Sequence, residues 1–371
     1  MNKLLLIQLN QIERVVCAAI RFEPCANLLA LYQDVNEADL FAFAKKNRVE
    51  SIVAHGLIKV LGAENTPAVW LEAHEKNSER ISGYLSELDI VAELFAQKGV
   101  GLIVLKNGGI ASGIFPCPGC VPMGDLDLLI EKKNFALAHQ TLIDLGYTLC
   151  FRNPLIRSDL DSAIKEGGGE YWKILPNGEK LWVELQWRAV AGRWINQDQE
   201  PATLDLFARS QAITNTKVRL LCPEDNLLQV SLHTAKHSYV RAPGMRLHLD
   251  VDRIVNRCAI DWMRFTDTAI KTQIKTAVYF SLLIPKILFN TPVPDNVLQA
   301  LCPGIIKARL IGQLIIRGGI FDPDKQKFSR LGYIFFNVLL YDNCRQLFHS
   351  IFFKARSFSQ FYELMFKRIN T

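Results

Sequence analysis

Two aspartates stand two residues apart at the head of an apolar run, in the segment GDLDLLI that contains Asp125 and Asp127. In an extended strand, residues i and i+2 point to the same face, so both carboxylates would share one patch of surface. Their repulsion must be offset, and carboxylate oxygens are the ligands that hard divalent cations prefer. The pair therefore indicates a site for Mg²⁺ or Mn²⁺, although a solvated turn at the mouth of a strand would show the same letters.

The residues before this pair form a pattern typical of phosphate binding. A β-branched run over 100–105 predicts a strand, and Lys106, Asn107, Gly108 and Gly109 follow it before a stretch of small residues that could be helical. Glycines in such a turn let backbone N–H groups approach a phosphate, and the N-terminus of the following helix favours negative charge. A strand, a glycine turn, a helix and a second strand with two acids together indicate a nucleotide and metal site.

A third acid is required, because divalent cations that hold a triphosphate need several oxygen ligands. In EYWKILPNGEKLWVELQWRAV, the pair Asn177-Gly178 lies between two aromatic, β-branched runs and predicts a hairpin with a type I′ turn. On the return strand Trp182, Glu184 and Gln186 would share one face. Glu184 would stand beside the two aspartates if its strand neighbours theirs; otherwise it faces solvent on an amphipathic strand.

These segments resemble those of a known family. VLKNGGIASGIFPCPGCVPMGDLDLLI is similar to the motif of the uncharacterised nucleotidyltransferase family, within the DNA-polymerase-β-like superfamily, where a Leu-Lys-Gly turn and helix precede Gly-Asp-x-Asp-Leu-Leu. WVELQWR resembles the acid-x-His-Trp-Arg strand of that family. The resemblance spans roughly residues 37–257, and Gly-Asp-x-Asp is its specific part.

The resemblance implies a metal-dependent transfer of a nucleoside monophosphate, AMP from ATP being the first expectation, with release of pyrophosphate. The acceptor would be a group on a small molecule, peptide or metabolite. Asp125 and Asp127 match the metal-binding aspartates of the family, and Glu184 matches its third acid, which helps to deprotonate or orient the acceptor hydroxyl. Further residues expected to contact the nucleotide are Lys106, Asn107, Gly108, Gly109, Gly124, Lys236, His237 and Arg246.

Three positions depart from the family pattern. Asn107, Cys120 and Gln186 stand where the family has glycine, arginine and histidine. Gln186 keeps a hydrogen-bonding group but loses a titratable one, and Cys120 removes a cation that could contact a phosphate. A catalytically degenerate protein that only binds nucleotide is therefore the alternative to an active transferase.

The distribution of helix and strand signals predicts an α+β fold, with a small mixed sheet as a nucleotidyltransferase core between two helical subdomains. Residues 1–98 are helical in pattern, with Asn36 as a helix cap and Thr66-Pro67 opening a long helix. Strand signals concentrate in residues 99–200. Residues 201–371 are again helical in pattern.

Composition indicates a cytoplasmic protein. The 371 residues are 49% hydrophobic and 22% charged, which is enough to bury a large core. The longest apolar runs fall well short of the ~20 residues that cross a bilayer, and the N-terminal segment MNKLLLIQLNQIERVV is read as an amphipathic helix. The nine cysteines form no framework of the kind found in secreted scaffolds.

Two other clusters suggest metals. CPGC, from Cys117 to Cys120, could bind zinc or cycle as a dithiol, but zinc needs two further ligands and no second Cys-x-x-Cys exists, so a rigid loop beside the active site is preferred. A metal-dependent phosphohydrolase is the rival to the transferase. Its ligands would be His233, His237, His248, Asp250 and Asp252.

The C-terminal region has a net charge of +7, larger than the +6 of the whole chain. Residues 301–371 contain eleven Lys/Arg against four Asp/Glu, interleaved with many phenylalanines. This pattern could bind RNA or an anionic membrane surface, so an RNA-directed transferase is a further alternative. A terminal helical subdomain with solvated cations explains the same composition, and we prefer it.

Overall fold

Seven strands form one mixed sheet in the computed structural model, which describes residues 5, 7–150, 159–190, 195 and 199–343. The strands are β1 Leu102–Leu105, β2 Leu126–Leu129, β3 Thr148–Leu149, β4 Gly168–Ile174, β5 Lys180–Gln186, β6 Gln211–Ala212 and β7 Val218–Leu220. Their order in the sheet is β3-β4-β5-β2-β1-β7-β6. The central strand β2 pairs antiparallel with β1 and parallel with β5.

Sixteen α-helices lie in the described residues, before, between and after the strands along the chain. They are α1 Gln11–Ala19, α2 Leu28–Gln33, α3 Glu37–Lys46, α4 Glu50–Leu61, α5 Ala68–Gln97, α6 Lys106–Ala111, α7 Phe135–Asp144, α8 Leu160–Glu166, α9 Thr203–Arg209, α10 Pro223–Lys236, α11 Arg246–Arg257, α12 Trp262–Lys271, α13 Lys275–Phe289, α14 Asp295–Leu301, α15 Ile305–Gly318 and α16 Arg330–Leu340. The predicted α+β class, a small mixed sheet with flanking helices, is confirmed.

Several helix boundaries follow local signals in the sequence. Asn36 caps α3, its side-chain oxygen accepting from the backbone N–H of Asp39 over 3.1 Å. The predicted long helix α5 begins directly after Pro67, but Pro67 itself is the cap residue, and the Thr66 hydroxyl donates to the carbonyl of Gly62 over 2.8 Å instead of capping the helix. The amphipathic helix predicted over the N-terminal segment MNKLLLIQLNQIERVV starts later than expected, because helix α1 begins only at Gln11. There Asn10 and Glu13 form a capping box, which satisfies the free N–H groups of the first turn.

Two short strands, β6 and β7, come from beyond residue 200, where the sequence pattern predicted helix. Strand β7 has three residues, too few to show a clear alternation. It is held by parallel pairing with β1, in which Leu102 stands opposite Val218. The division into residues 1–98, 99–200 and 201–371 stays a prediction.

The β4–β5 hairpin is confirmed, but its predicted turn type is wrong. The N–H of Gly178 donates to the carbonyl of Leu175 over 2.9 Å, and Gly178 has a φ of 82°, whereas Asn177 is not among the positive-φ residues. A type I′ turn needs positive φ at both central residues. Pro176 fixes its own φ near about −65°, so the loop closes with a single left-handed glycine instead.

A continuous apolar core joins the helices to both faces of the sheet. On β5 the side chains of Leu181, Val183 and Leu185 are fully buried, as the predicted alternation requires. Arg253 of α11 links the later helices to the first one, since its Nη2 donates to the carbonyl of Ile20 over 2.7 Å. The sheet is thereby held between helices from both ends of the chain.

The C-terminal third contains the most apolar helices. No single described helix combines the length and apolar composition needed to cross a membrane, and α14 and α15 reach them only as a pair bent by 103°. Residues 344–371, the end of the predicted basic and aromatic region 301–371, lie outside the described residues.

Candidate active site

Three acids meet on one face of strands β2 and β5. Asp127 stands directly opposite Glu184 in the parallel register of these strands, and neighbouring strands in a sheet lie about 4.8 Å apart. Asp125 precedes β2 by one residue and shares the face of Asp127 through the strand alternation. The arrangement expected from the sequence, with the strand of Glu184 beside that of the two aspartates, is the one that the sheet adopts.

A fourth acid, Glu170, extends this row and was missed in the sequence. It stands opposite Glu184 in the antiparallel β4–β5 register. The predicted two-residue turn at Asn177-Gly178 would set Glu170 opposite Leu185, and only the observed loop, with Ile174 opposite Lys180, sets it opposite Glu184. Glu170 lies two strand spacings, about 9.6 Å, from Asp127, whereas Glu184 lies only one away.

Lys106 and Gln186 hold the carboxylate of Asp127. The Lys106 Nζ lies 2.5 Å from Asp127 Oδ1, and the side chains of the two residues are only 14% and 2% exposed. Gln186 Nε2 donates to the same Oδ1 over 2.7 Å. Both contacts end on Oδ1, so neither of them engages Oδ2. The glutamine that replaces the family's histidine thus acts as a donor to the buried aspartate.

Negative charge is concentrated around this ion pair. Burial raises the pKa of Asp127 to about 7; Lys106 opposes the increase, while Asp125 and Glu184 add to it. Burial alone would lower the pKa of Lys106, but Asp127, Glu184 and Asp125 outweigh it and raise that pKa above its ordinary value. Three carboxylates therefore lie close to one another around Lys106, and this concentration of negative charge attracts cations.

Helix α6 follows β1 without a loop, and the turn occurs at Lys106 itself. Lys106 has a φ of 48°, a left-handed conformation that costs a non-glycine residue of order 1 kcal/mol. Gly108 and Gly109 lie inside α6 and face the sheet, where an added Cβ would come within 2.6 Å of Val104 Cγ2 and 2.7 Å of the Val104 carbonyl oxygen, respectively. These glycines permit close packing of helix on strand, and their predicted contact with a phosphate stays a prediction.

Helix α11 supplies the opposite wall of the site. With its side-chain amide assigned so that the nitrogen faces the buried Asp250, Asn107 donates to both carboxylate oxygens over 2.9 and 2.7 Å. Arg246 lies beside the active-site strand, since a Cβ on Gly124 would be 3.9 Å from its Nη2. Its Nε is buried and has no hydrogen-bond partner within the described part of the chain. Arg246 therefore has an unused donor next to the aspartates.

His237 lies near Lys106, at the end of α10 and directly after Lys236. Burial lowers the pKa of His237 to about 3, and the positive charges of Lys236, Lys106 and Arg241 lower it further. His237 is therefore neutral at physiological pH and can contribute a hydrogen bond but no charge. Lys236 adds a positive charge beside His237.

The rival phosphohydrolase centre does not form. His248 is fully buried and its Nε2 bonds to the carbonyl of Tyr239 over 2.8 Å. Asp252 is paired with Arg253 and accepts from the Thr291 hydroxyl over 2.6 Å. Within residues 5–343, as far as they are described, the ligand atoms of the five predicted residues do not converge on a common point.

A comparison with protein-family models decides the family. The model of the uncharacterised nucleotidyltransferase family matches residues 33–290. The chain belongs to this family. The match covers the strands that carry the acids and the helices α10 and α11. No curated protein and no solved structure matches the chain. The resemblance noted over residues 37–257 is thus confirmed, and with it nucleotidyl transfer as the general chemistry of the family.

Proposed function

We propose that this nucleotidyltransferase moves a nucleoside monophosphate, AMP from ATP in the first instance, onto an acceptor group of a small molecule, peptide or metabolite. Pyrophosphate is the second product. The observation that carries the proposal is the register of β2 and β5, which sets Asp127 directly opposite Glu184 with Asp125 on the same face. Three carboxylates on one face of two neighbouring strands supply the oxygen ligands that a hard divalent cation prefers.

The donor set fits a hard divalent cation. Its oxygens come from three carboxylates, and the contacts of Lys106 and Gln186 with Asp127 both end on Oδ1 and do not engage Oδ2. Asp125, Asp127 and Glu184 would hold Mg²⁺ or Mn²⁺, which when bound would stabilise negative charge on the attacking and leaving oxygens.

The protein's own residues position the reactants. Glu184 takes the proton of the acceptor hydroxyl while the oxygen of that hydroxyl forms a bond to the α-phosphorus of the donor. The bond from that phosphorus to the bridging oxygen breaks, and its electron pair leaves with pyrophosphate. Arg246, with its unused Nε donor, binds a phosphate oxygen of the donor. Lys106 and Gln186 keep Asp127 in place throughout.

The Lys106–Asp127 ion pair favours a second candidate function. An ammonium 2.5 Å from the buried carboxylate already supplies positive charge where the family would use a metal. A protein that relies on this ammonium could bind a nucleotide without transferring any part of it. Binding would then be independent of divalent cations, and pyrophosphate would not be released.

Pyrophosphate release separates the two candidates. The four ribonucleoside triphosphates are incubated with wild type and with Asp125→Asn, in Mg²⁺, in Mn²⁺ and in chelator, and both pyrophosphate and nucleotide-labelled products are measured. A control variant is Asp144→Asn, whose side chain is 55% exposed and lies 3.7 Å from Lys98 on the surface. We expect cation-dependent release that Asp125→Asn abolishes and Asp144→Asn leaves intact. The assay is repeated with cell extract as a source of acceptors. If nucleotide still binds without a divalent cation and no pyrophosphate is released, the second candidate is established instead.

Two substitutions of Gln186 test the hydrogen bond that it donates to Asp127. Gln186→Leu removes the donor 2.7 Å from Asp127 Oδ1, and a lost hydrogen bond to a charged group predicts a fall in kcat/KM of about tenfold or more. Gln186→His restores a ring N–H donor at this position and should keep more of the activity. Pyrophosphate release measures both variants. Equal activity of the leucine variant and wild type would contradict this role for Gln186.

A further inference from the structure

A second cluster of metal-ligating side chains lies at the Cys-x-x-Cys loop, between α6 and β2. Cys117 Sγ is 3.4 Å from Nδ1 of His55 in α4 and 3.4 Å from Nε2 of His74 in α5. The ligand atoms of His55, Cys117 and Cys120 all lie within 4.8 Å of one another. Two thiols and the imidazole of His55 therefore converge here, and the imidazole of His74 adds a fourth donor next to Cys117.

The spacing matches a tetrahedral zinc centre. With Zn–S near about 2.3 Å and Zn–N near about 2.0–2.1 Å, sulfur and nitrogen ligands of one ion lie roughly 3.6 Å apart. The two sulfur–nitrogen distances at Cys117, both 3.4 Å, are close to this value. Thiolate and imidazole ligands favour zinc, whereas the carboxylates of the active site favour a hard cation. The two clusters thus suit different metals.

The surrounding residues keep the loop and the histidines in contact. A Cβ on Gly119 would lie 2.4 Å from ring atoms of His74, so only glycine lets this imidazole approach the loop so closely. The buried Asn77 donates its amide to the carbonyls of Gly119 and Val121, over 2.9 and 3.0 Å. The rings of His55 and His74 stack with centroids 5.7 Å apart and planes inclined by 20°.

We propose that Cys117, Cys120, His55 and His74 bind one zinc ion in a closed, four-ligand site. Both cysteines bind as thiolates, and their protons pass to the solvent. Four protein ligands leave no position for a substrate, so the ion is structural. It joins α4 and α5 to the loop that leads directly to Gly124.

This inference revises the interpretation of CPGC as a loop without further ligands. The two missing ligands are histidines 62 and 43 residues upstream of Cys117.

Metal analysis of the full-length protein tests the proposal. The chain is purified under reducing conditions, incubated with one equivalent of Zn²⁺, desalted and analysed by elemental mass spectrometry and X-ray absorption. We expect about one zinc per chain, with two sulfur ligands at about 2.3 Å and two nitrogen ligands at about 2.0–2.1 Å. Because wild-type protein is used, the result does not depend on how any variant folds. It also needs no turnover, so it stands or fails separately from the proposed transferase activity.

Matched variants identify the ligands. Cys117→Ser and His74→Asn should lose most of the bound zinc, whereas Cys150→Ser, at an exposed cysteine, and His139→Asn, at a histidine 2.8 Å from the Tyr171 hydroxyl, should keep it. Wild-type protein that stays free of zinc under reducing conditions would overturn the proposal. So would zinc bound only through oxygen and nitrogen, or a Cys117–Cys120 disulfide that resists reductant.

Discussion

Asp127→Leu is expected to abolish nucleotidyl transfer and to lower the free energy of unfolding by about 3–5 kcal/mol. Asp127 is 1% exposed, and its carboxylate is the ion-pair partner of Lys106 Nζ at 2.5 Å. Removing it deprives the buried ammonium of the carboxylate at 2.5 Å and leaves Asp125 and Glu184 as its neighbouring negative charges, which costs far more than the loss of an exposed pair. Pyrophosphate release measures the first effect, and denaturant unfolding monitored by circular dichroism measures the second.

The double variant Lys106→Met/Asp127→Leu separates stability from activity. With both charges gone, no buried ion is left unpaired, so stability should return to within about 1–2 kcal/mol of wild type while transfer stays absent. The single variant Lys106→Met completes the double-mutant cycle, and its free energy of unfolding should also be lower than that of wild type. If the two single effects simply add in the double variant, the ion pair does not contribute as its geometry implies.

Glu184→Gln is expected to reduce kcat by about 10²–10⁴-fold while leaving nucleotide affinity within a few-fold of wild type. Glu184 is half-buried beside Asp127, where the proposal assigns it the proton of the acceptor hydroxyl. Glutamine keeps the shape of the side chain but cannot accept that proton. Single-turnover transfer and calorimetric titration of a non-hydrolysable triphosphate measure the two quantities.

Glu170→Gln is the matched comparison for Glu184. The two glutamates stand opposite each other on β4 and β5, on the same face, but Glu170 lies one strand further from Asp127. We therefore expect Glu170→Gln to change kcat by less than about tenfold. Should Glu170→Gln prove the more damaging of the two, the third acid of this protein would be Glu170, and the role carried over from the family motif would be wrong for Glu184.

Features of the site that depend on neighbouring residues along the chain were predictable from the sequence. The alternation of a strand places Asp125 and Asp127 on one face, and the same rule places Glu184 and Gln186 together on β5. Asn36 identified a helix start for a similar reason, because a cap bonds to a backbone N–H only three residues away.

The sequence by itself determined the α+β class, the hairpin and the paired aspartates, since each depends on a local period or on a motif shared with the family. Only the tertiary structure decided that Lys106 pairs with Asp127, that Glu170 continues the row of acids, and that His55 and His74 meet Cys117. These contacts join residues from 14 to 62 positions apart. Sequence periodicity carries information over about one or two turns of helix or a single strand, whereas strand order and helix docking are set by burial of the whole core.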